Sequence, residues 1–182
     1  MKEFYDLKIC GITRSLPKVR IAPGLSIASF VMLGDTTLVE KCADALAAKL
    51  KTLGAVDLLV CPEAKGIPLT HAIAVRLGVD YIVARKSVKS YMEEPLTSEV
   101  KSITTAGTQM TVIDGADAKR LAGKRVCVVD DVVSTGGSLL ALESLLARTG
   151  CTVVTKVAAL LEEGGYDGHD LVYLEKLPIF KD

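Results

Sequence analysis

Residues Val126 to Ser138, reading VCVVDDVVSTGGS, constrain the fold of this chain more than any other stretch. Val126, Cys127, Val128 and Val129 put apolar side chains on both faces of an extended segment, which suits a central parallel strand covered by helices on each side. Asp130 and Asp131 follow at its carboxyl end, where open α/β sheets bind ligands. Ser134, Thr135, Gly136, Gly137 and Ser138 then form a small-residue loop, and a helical pattern begins at once with Leu139, Leu142, Leu145 and Leu146. Such a loop can turn several backbone N–H groups and hydroxyls toward one phosphate, with the helix N-terminus adding partial positive charge. A Gly-Gly after a strand also serves as a plain βα turn, and an Asp pair as a solvated strand end. The whole run, rather than Thr-Gly-Gly alone, therefore carries the sugar-phosphate reading. The chain has no GxGxxG after a strand and no GxxxxGK[ST].

At 182 residues and 49% hydrophobic content, the chain fits a single domain over 1-182 that buries its own core. Lys+Arg and Asp+Glu balance at 22 each, which argues against a general affinity for nucleic acid or an anionic membrane. Cys10, Cys42, Cys61, Cys127 and Cys151 are odd in number and widely spaced, with no CxxC pair, and read as small hydrophobes in a reducing compartment. The N-terminus has no uninterrupted apolar segment, and no stretch approaches the roughly 18 apolar residues of a membrane span. A soluble cytoplasmic protein is the expectation.

The N-terminal segment is punctuated by Pro17, Pro23 and Gly24. Asp35 and Thr36 then cap a helix whose face carries Leu38, Cys42, Leu46, Leu50 and Leu53, ending at Gly54. Val56 to Cys61 reads as a buried strand, Pro68 to Leu77 as a helix stopped by Gly78, and Tyr81 to Ala84 as the next strand. The stretch from Lys86 to about Ser98 reads as a long mobile loop. Val100 to Thr104 and Gln109 to Ile113 form an expected strand pair, with a turn near Asp114 and Gly115. Strands Val153 to Leu161 and Leu171 to Leu174 close the chain. Alternating strands and helices imply an α/β fold with a parallel sheet covered on both sides.

A second loop, CPEAKGIP from Cys61 to Pro68, also lies between a buried strand and a helix, and brings Lys65 and Gly66 near helix N–H groups. Preorganised donors there would stabilise charge building on a departing group such as pyrophosphate. Arg85 and Lys86 follow the next strand and complete a cationic rim. The loop after them offers Lys89, Tyr91 and Lys101, and can close over substrate to exclude water. Lys89 and Lys101 read equally well as solvated surface charge.

Together these three elements resemble the type I phosphoribosyltransferases, and the resemblance covers nearly the whole chain. It looks closest to the purine branch that holds the adenine and xanthine phosphoribosyltransferases and the purine operon repressor. EAKGIPL is similar to that branch's diphosphate loop, and ARK at Ala84 to Lys86 to its usual strand ending. The resemblance implies a type I phosphoribosyltransferase fold with a small hood from about 1-34 and 162-182. It implies a Mg²⁺·5-phosphoribosyl 1-diphosphate (PRPP) substrate, displacement of pyrophosphate by a purine nitrogen, and a homodimer. Asp130 and Asp131 would hold the ribose hydroxyls and help organise Mg²⁺, acting with Lys65 as the catalytic set. Val132 and Ser134 to Ser138 would bind the 5′-phosphate. Glu63, Ala64, Lys65, Gly66, Arg85, Lys86 and Lys89 would surround the diphosphate. Leu25 to Leu50 looks like a base-covering hood and first helix, so Phe30, Met32 and Glu163 are candidate base contacts.

The chain also departs from the family. Adenine-type enzymes carry a Glu before Tyr-Gly in the mobile loop, and the nearest positions here read Thr105, Ala106 and Gly107. Xanthine-type enzymes have a base-contacting Lys where this chain reads Glu163. A carboxylate accepts hydrogen bonds and repels an anionic base, so it favours adenine or guanine. The expected function is purine salvage with adenine favoured. A hypoxanthine, guanine or xanthine enzyme and a non-catalytic PRPP-binding regulator are the alternatives, with an orotate enzyme a weaker one. His71 and His169 have no ligand-like partner spacing and read as structural or surface residues.

Overall fold

A computed structural model of the chain describes residues 3–101 and 108–181. Thr105, Ala106 and Gly107 lie outside the described residues. The N-terminal segment forms three antiparallel strands, β1 (Phe4–Ile9), β2 (Ile12–Ala22) and β3 (Leu25–Ala28). Ile9 pairs with Ile12 across Cys10 and Gly11, both at positive φ, the geometry of a tight two-residue hairpin that twists with its strands. The Pro23-Gly24 turn joins β2 to β3, with Gly24 at φ +70°.

Helix α1 (Thr36–Leu53) starts where Asp35 accepts the Leu38 N–H at 3.0 Å. Arg14 of β2 donates Nε to the same carboxylate at 2.6 Å, tying the N-terminal sheet to α1 and holding the Asp35 carboxyl below its usual range. After it come β4 (Leu58–Pro62), α2 (Ile67–Leu77) and β5 (Asp80–Ala84). No regular element spans 85–95; then β6 (Leu96–Lys101) pairs with β7 (Thr108–Ile113), so the strand pair begins earlier than its pattern suggested. Helix α3 (Gly115–Leu121) stands where a turn was expected. The chain ends with β8 (Arg125–Val133), α4 (Gly137–Ala147), β9 (Thr152–Glu162), β10 (Leu171–Leu177) and β11 (Ile179–Lys181).

Five parallel strands form the central sheet in the order β10-β9-β8-β4-β5. Leu59, Cys61, Cys127 and Val129 face α1 and α2, whereas Val60, Val126, Val128 and Ala158 face α4, so apolar burial holds both layers. Strand order reverses between β4 and β8, and ligands bind at the carboxyl ends of strands flanking such a switch point. Of residues 162–182, the strand 171–177 is the edge of this central sheet. Among the described residues of this segment, Ile179–Lys181 alone joins the N-terminal sheet, pairing with β3. Phe180 packs edge-on against Tyr5 at 5.8 Å, with the Lys18 ammonium 4.3 Å from its ring centre, which commits it to that sheet.

Candidate active site

The acidic pair lies inside β8, not beyond its end. β8 stays paired with β9 through Val133 and Leu161, but its pairing with β4 stops at Val60 and Val128. Past Val128 the two strands part, and Asp130 and Asp131 sit beside the crevice this opens. The loop between β4 and α2 enters it: a Cβ on Gly66 would lie 3.4 Å from both Cα and Oδ1 of Asp130 and 3.5 Å from the Asp131 nitrogen. Gly66 sits at an ordinary φ of −73° and these are ordinary contact distances, so the loop lies directly against the acidic pair although neither backbone shape nor space demands a glycine.

Asp130 Oδ1 accepts the Asp131 N–H at 2.9 Å. Asp131 is only 5% exposed, and its Oδ2 is buried without a partner among the described residues. Burial pushes both carboxyls above the usual carboxylate range, and Asp130 is pushed further by the charge of Asp131. Lys65 partly opposes the rise in both. Among the described residues, Asp131 Oδ2 is left without a hydrogen-bond donor. Hydroxyl donors or a cation would complete it.

The loop 134–138 wraps a cavity of about 120 Å³ that Asp130 and Val132 also line. Helix α4 begins there without a side-chain cap and without an acidic residue in its first turn, which leaves its opening N–H groups for an anion. Gly136, at φ +82°, supplies the left-handed residue of the curve. Arg85 and Lys86 stand across a neighbouring cavity of about 240 Å³ whose other wall includes Gly137 and Ser138. The loops after β4, β5 and β8 thus converge, with cations on one side, carboxylates on the other and N–H groups from two helices.

Several expected contacts resolve differently. Glu63, joined to Ala64 by a cis peptide bond, accepts Arg85 Nε at 3.2 Å and the Lys86 N–H at 3.1 Å, so its carboxylate braces the cationic loop. The Glu63 carboxyl is held below its usual range, first by that backbone bond and then by the nearby Arg85 charge. Ala64, Lys65 and Lys86 are exposed around the crevice. Lys89 donates to Ser87 Oγ at 2.6 Å, and Tyr91 is 65% exposed.

Phe30 and Met32 are 4% and 0% exposed and belong to the core with Leu38 and Leu46, so the side chains expected to touch a base face inward. Their neighbours Val31 and Leu33 face out. Glu163 has an exposed side chain, and its backbone N–H donates to Leu177 O at 2.9 Å. The preceding residue, Glu162, turns inward and accepts the Ser134 hydroxyl at 2.8 Å.

Burial pushes the Cys61 thiol up to about 11 and the Cys42 and Cys127 thiols up to about 12, which removes them as nucleophiles near neutral pH. His71 packs edge-on against Tyr81, 5.8 Å between ring centres, outside the crevice lining. No described helix is long and apolar enough to cross a membrane.

A family model described as "Phosphoribosyl transferase domain" matches residues 32–174, which include all three loops. An adenine phosphoribosyltransferase from Mycobacterium sp. (strain KMS) is 30% identical over 165 residues, 90% of each chain. A hypoxanthine/guanine phosphoribosyltransferase from Methanothermus fervidus is 31% identical over 134 residues, 74% of this chain and 66% of that protein. Among solved structures, an adenine phosphoribosyltransferase from Thermoanaerobacter pseudethanolicus superposes with a TM-score of 0.70 at 26% identity, covering 95% of each chain.

Proposed function

This chain belongs to the phosphoribosyl transferase family, and from that premise we propose that it transfers phosphoribose from PRPP to a purine base, adenine favoured, releasing pyrophosphate. The observation that carries this reading is the close seating of Gly66 on Asp130, which joins an N–H-rich cationic loop to an acidic pair at one switch point. The N–H groups of 134–138 and the hydroxyls of Thr135 and Ser138 hold the 5′-phosphate, the Ser134 hydroxyl being taken by Glu162. Asp130 and Asp131 accept hydrogen bonds from the ribose hydroxyls, giving Asp131 Oδ2 the partner it lacks among the described residues. Lys65, Arg85, Lys86 and the N–H groups of 64–66 hold the diphosphate. As the C1–O bond lengthens, negative charge grows on the leaving diphosphate and these fixed donors stabilise it. Lys89 and Tyr91 lie on the loop that covers the bound substrate and excludes water.

The two carboxylates suit Mg²⁺ as a hard cation that takes a few protein oxygens and completes its shell with substrate and water. When bound, the cation neutralises charge on the diphosphate. Glu163, exposed just after β9, is the candidate to accept N–H from a purine edge and disfavour an anionic base, since the neighbouring Glu162 is taken by the Ser134 hydroxyl on the phosphate loop. The names of the similar proteins support adenine. We further propose a homodimer and a cytoplasmic location, as the family likeness implies.

Incubation with Mg²⁺, PRPP and each of adenine, hypoxanthine, guanine, xanthine and orotate, following pyrophosphate, tests the assignment. Release is expected with adenine. Release only with oxopurines would overturn the choice of base, and no release with any base would leave a PRPP-binding regulator in place of an enzyme.

A further inference from the structure

Lys156 sits in the middle of β9, in the apolar run Val153 to Leu161, and is 3% exposed. A buried ammonium is costly unless every proton is taken. Here all three find acceptors: Glu143 Oε1 on α4 at 2.7 Å, Tyr166 Oη at 2.9 Å and Asp170 Oδ2 just before β10. Tyr166 Oη in turn donates to Asp170 Oδ1 at 3.0 Å. An apolar side chain would fill this strand position at lower desolvation cost, so the network calls for a role besides packing.

Its far end supplies one. The Tyr166 ring lies against Gly136, closely enough that a Cβ there would overlap the ring. The Tyr166 N–H donates to Ser134 O at 2.7 Å, and Gly165 approaches the same carbonyl so closely that it has no room for a side chain. The corner 165–166 is therefore seated on the outside of the loop 134–138, and Lys156 holds that corner to β9 and α4.

We propose that Lys156 is a positioning residue: through Tyr166 it holds the loop 134–138 in the concave form that receives the 5′-phosphate. This rests on the reading of that loop as the phosphate site. Lys156 touches no substrate. Its effect is confined to the affinity for the phosphoribosyl half and does not extend to the base or to the chemical step.

The test compares Lys156→Met, Tyr166→Ala, Tyr166→Phe and the Lys156→Met/Tyr166→Ala double variant with the wild type. The readouts are KM for PRPP, KM for the preferred base, kcat, and Kd for ribose 5-phosphate by calorimetry. Lys156→Met and Tyr166→Ala are expected to raise KM for PRPP and Kd for ribose 5-phosphate roughly ten-fold, with kcat and base KM within about two-fold. The double variant is expected to be no worse than the poorer single one, since both act through one contact. Should Lys156→Met fail to fold, Tyr166→Phe keeps the ammonium paired with its carboxylates and is expected to raise both constants by a smaller factor. Loss of thermal stability with both constants unchanged in Lys156→Met and Tyr166→Ala, or in Tyr166→Phe where only that variant folds, would overturn the proposal. Failure of the wild type to bind ribose 5-phosphate would instead overturn the phosphate reading of the loop.

Discussion

Replacing Asp131 with asparagine is expected to lower kcat/KM roughly 10²–10³-fold, the usual scale for removing one preorganised electrostatic group, while raising the melting temperature of the ligand-free protein. Both effects have one cause. Asp131 is buried with an oxygen that has no partner among the described residues, beside a second carboxylate. Substrate hydroxyls and a cation relieve that arrangement, and so does deleting the charge. Relief on the order of 1 kcal/mol corresponds to about 2–4 °C in a chain of this size.

The pH dependence follows in sign. Both carboxyls are raised in the folded state, so their contribution to stability is fully present below the ordinary carboxylate value of about 4. It is lost as pH rises through the raised values. Thermal melts of the ligand-free protein between about pH 4 and 8 should therefore show stability from this pair falling with pH, with a shallower fall in Asp131→Asn. Full activity in the variant, or a lower melting temperature with a steeper pH slope, would contradict the role given to this carboxylate.

Gly136→Ala is expected to weaken PRPP binding about 10²-fold. At φ +82° an L side chain costs roughly 1–2 kcal/mol, and the new Cβ would overlap the Tyr166 ring, which the Lys156 network holds in place. The loop must then move, and with it the N–H groups aimed at the phosphate. Gly66→Ala is the informative contrast. Its φ of −73° carries no penalty and its Cβ would meet Asp130 at 3.4 Å, a distance a small shift accommodates, so only a few-fold loss is expected. KM for PRPP in the two variants checks the ordering, and equal losses would mean that backbone shape at Gly136 is not the deciding factor.

Much of this arrangement is legible in the residues, and what is not has identifiable physical causes. Helix α1 carries a clean apolar face between Asp35 and Gly54, and α2 lies between a Pro-bearing start and Gly78. Their limits follow from local chemistry. The position of β8's end does not, because it depends on how far β9 remains its partner. The N-terminal hairpin is signalled by the alternation from Phe4 to Ile9 and the Gly11 turn, but Pro17 within β2 masks it; the strand holds that proline at its last pair with β1, just before pairing with β3 begins at Lys18. Helix α3 is seven residues long and buries chiefly Leu121, too little for a helical period to show.

Which way the candidate base contacts face is hidden for a different reason. In extended chain, adjacent side chains point oppositely, so an error of one residue exchanges inside for outside. Phe30 and Met32 face the core while Val31 and Leu33 face out, and Glu162 rather than Glu163 meets the phosphate loop. Lys156 left a signal, a single charge within an apolar run. Its acceptors, however, come from α4 and the segment just before β10, which only the tertiary fold assembles.

The central claim is that one crevice holds both ends of PRPP, the 5′-phosphate on the loop 134–138 and the diphosphate on Lys65, Arg85 and Lys86. Calorimetric titration of the wild-type protein with Mg²⁺·PRPP, repeated in the presence of ribose 5-phosphate and of pyrophosphate, measures this directly. Binding of one PRPP per chain, weakened by each competitor separately, is the expected result. Binding that pyrophosphate displaces but ribose 5-phosphate leaves untouched, or no binding at all, would contradict it.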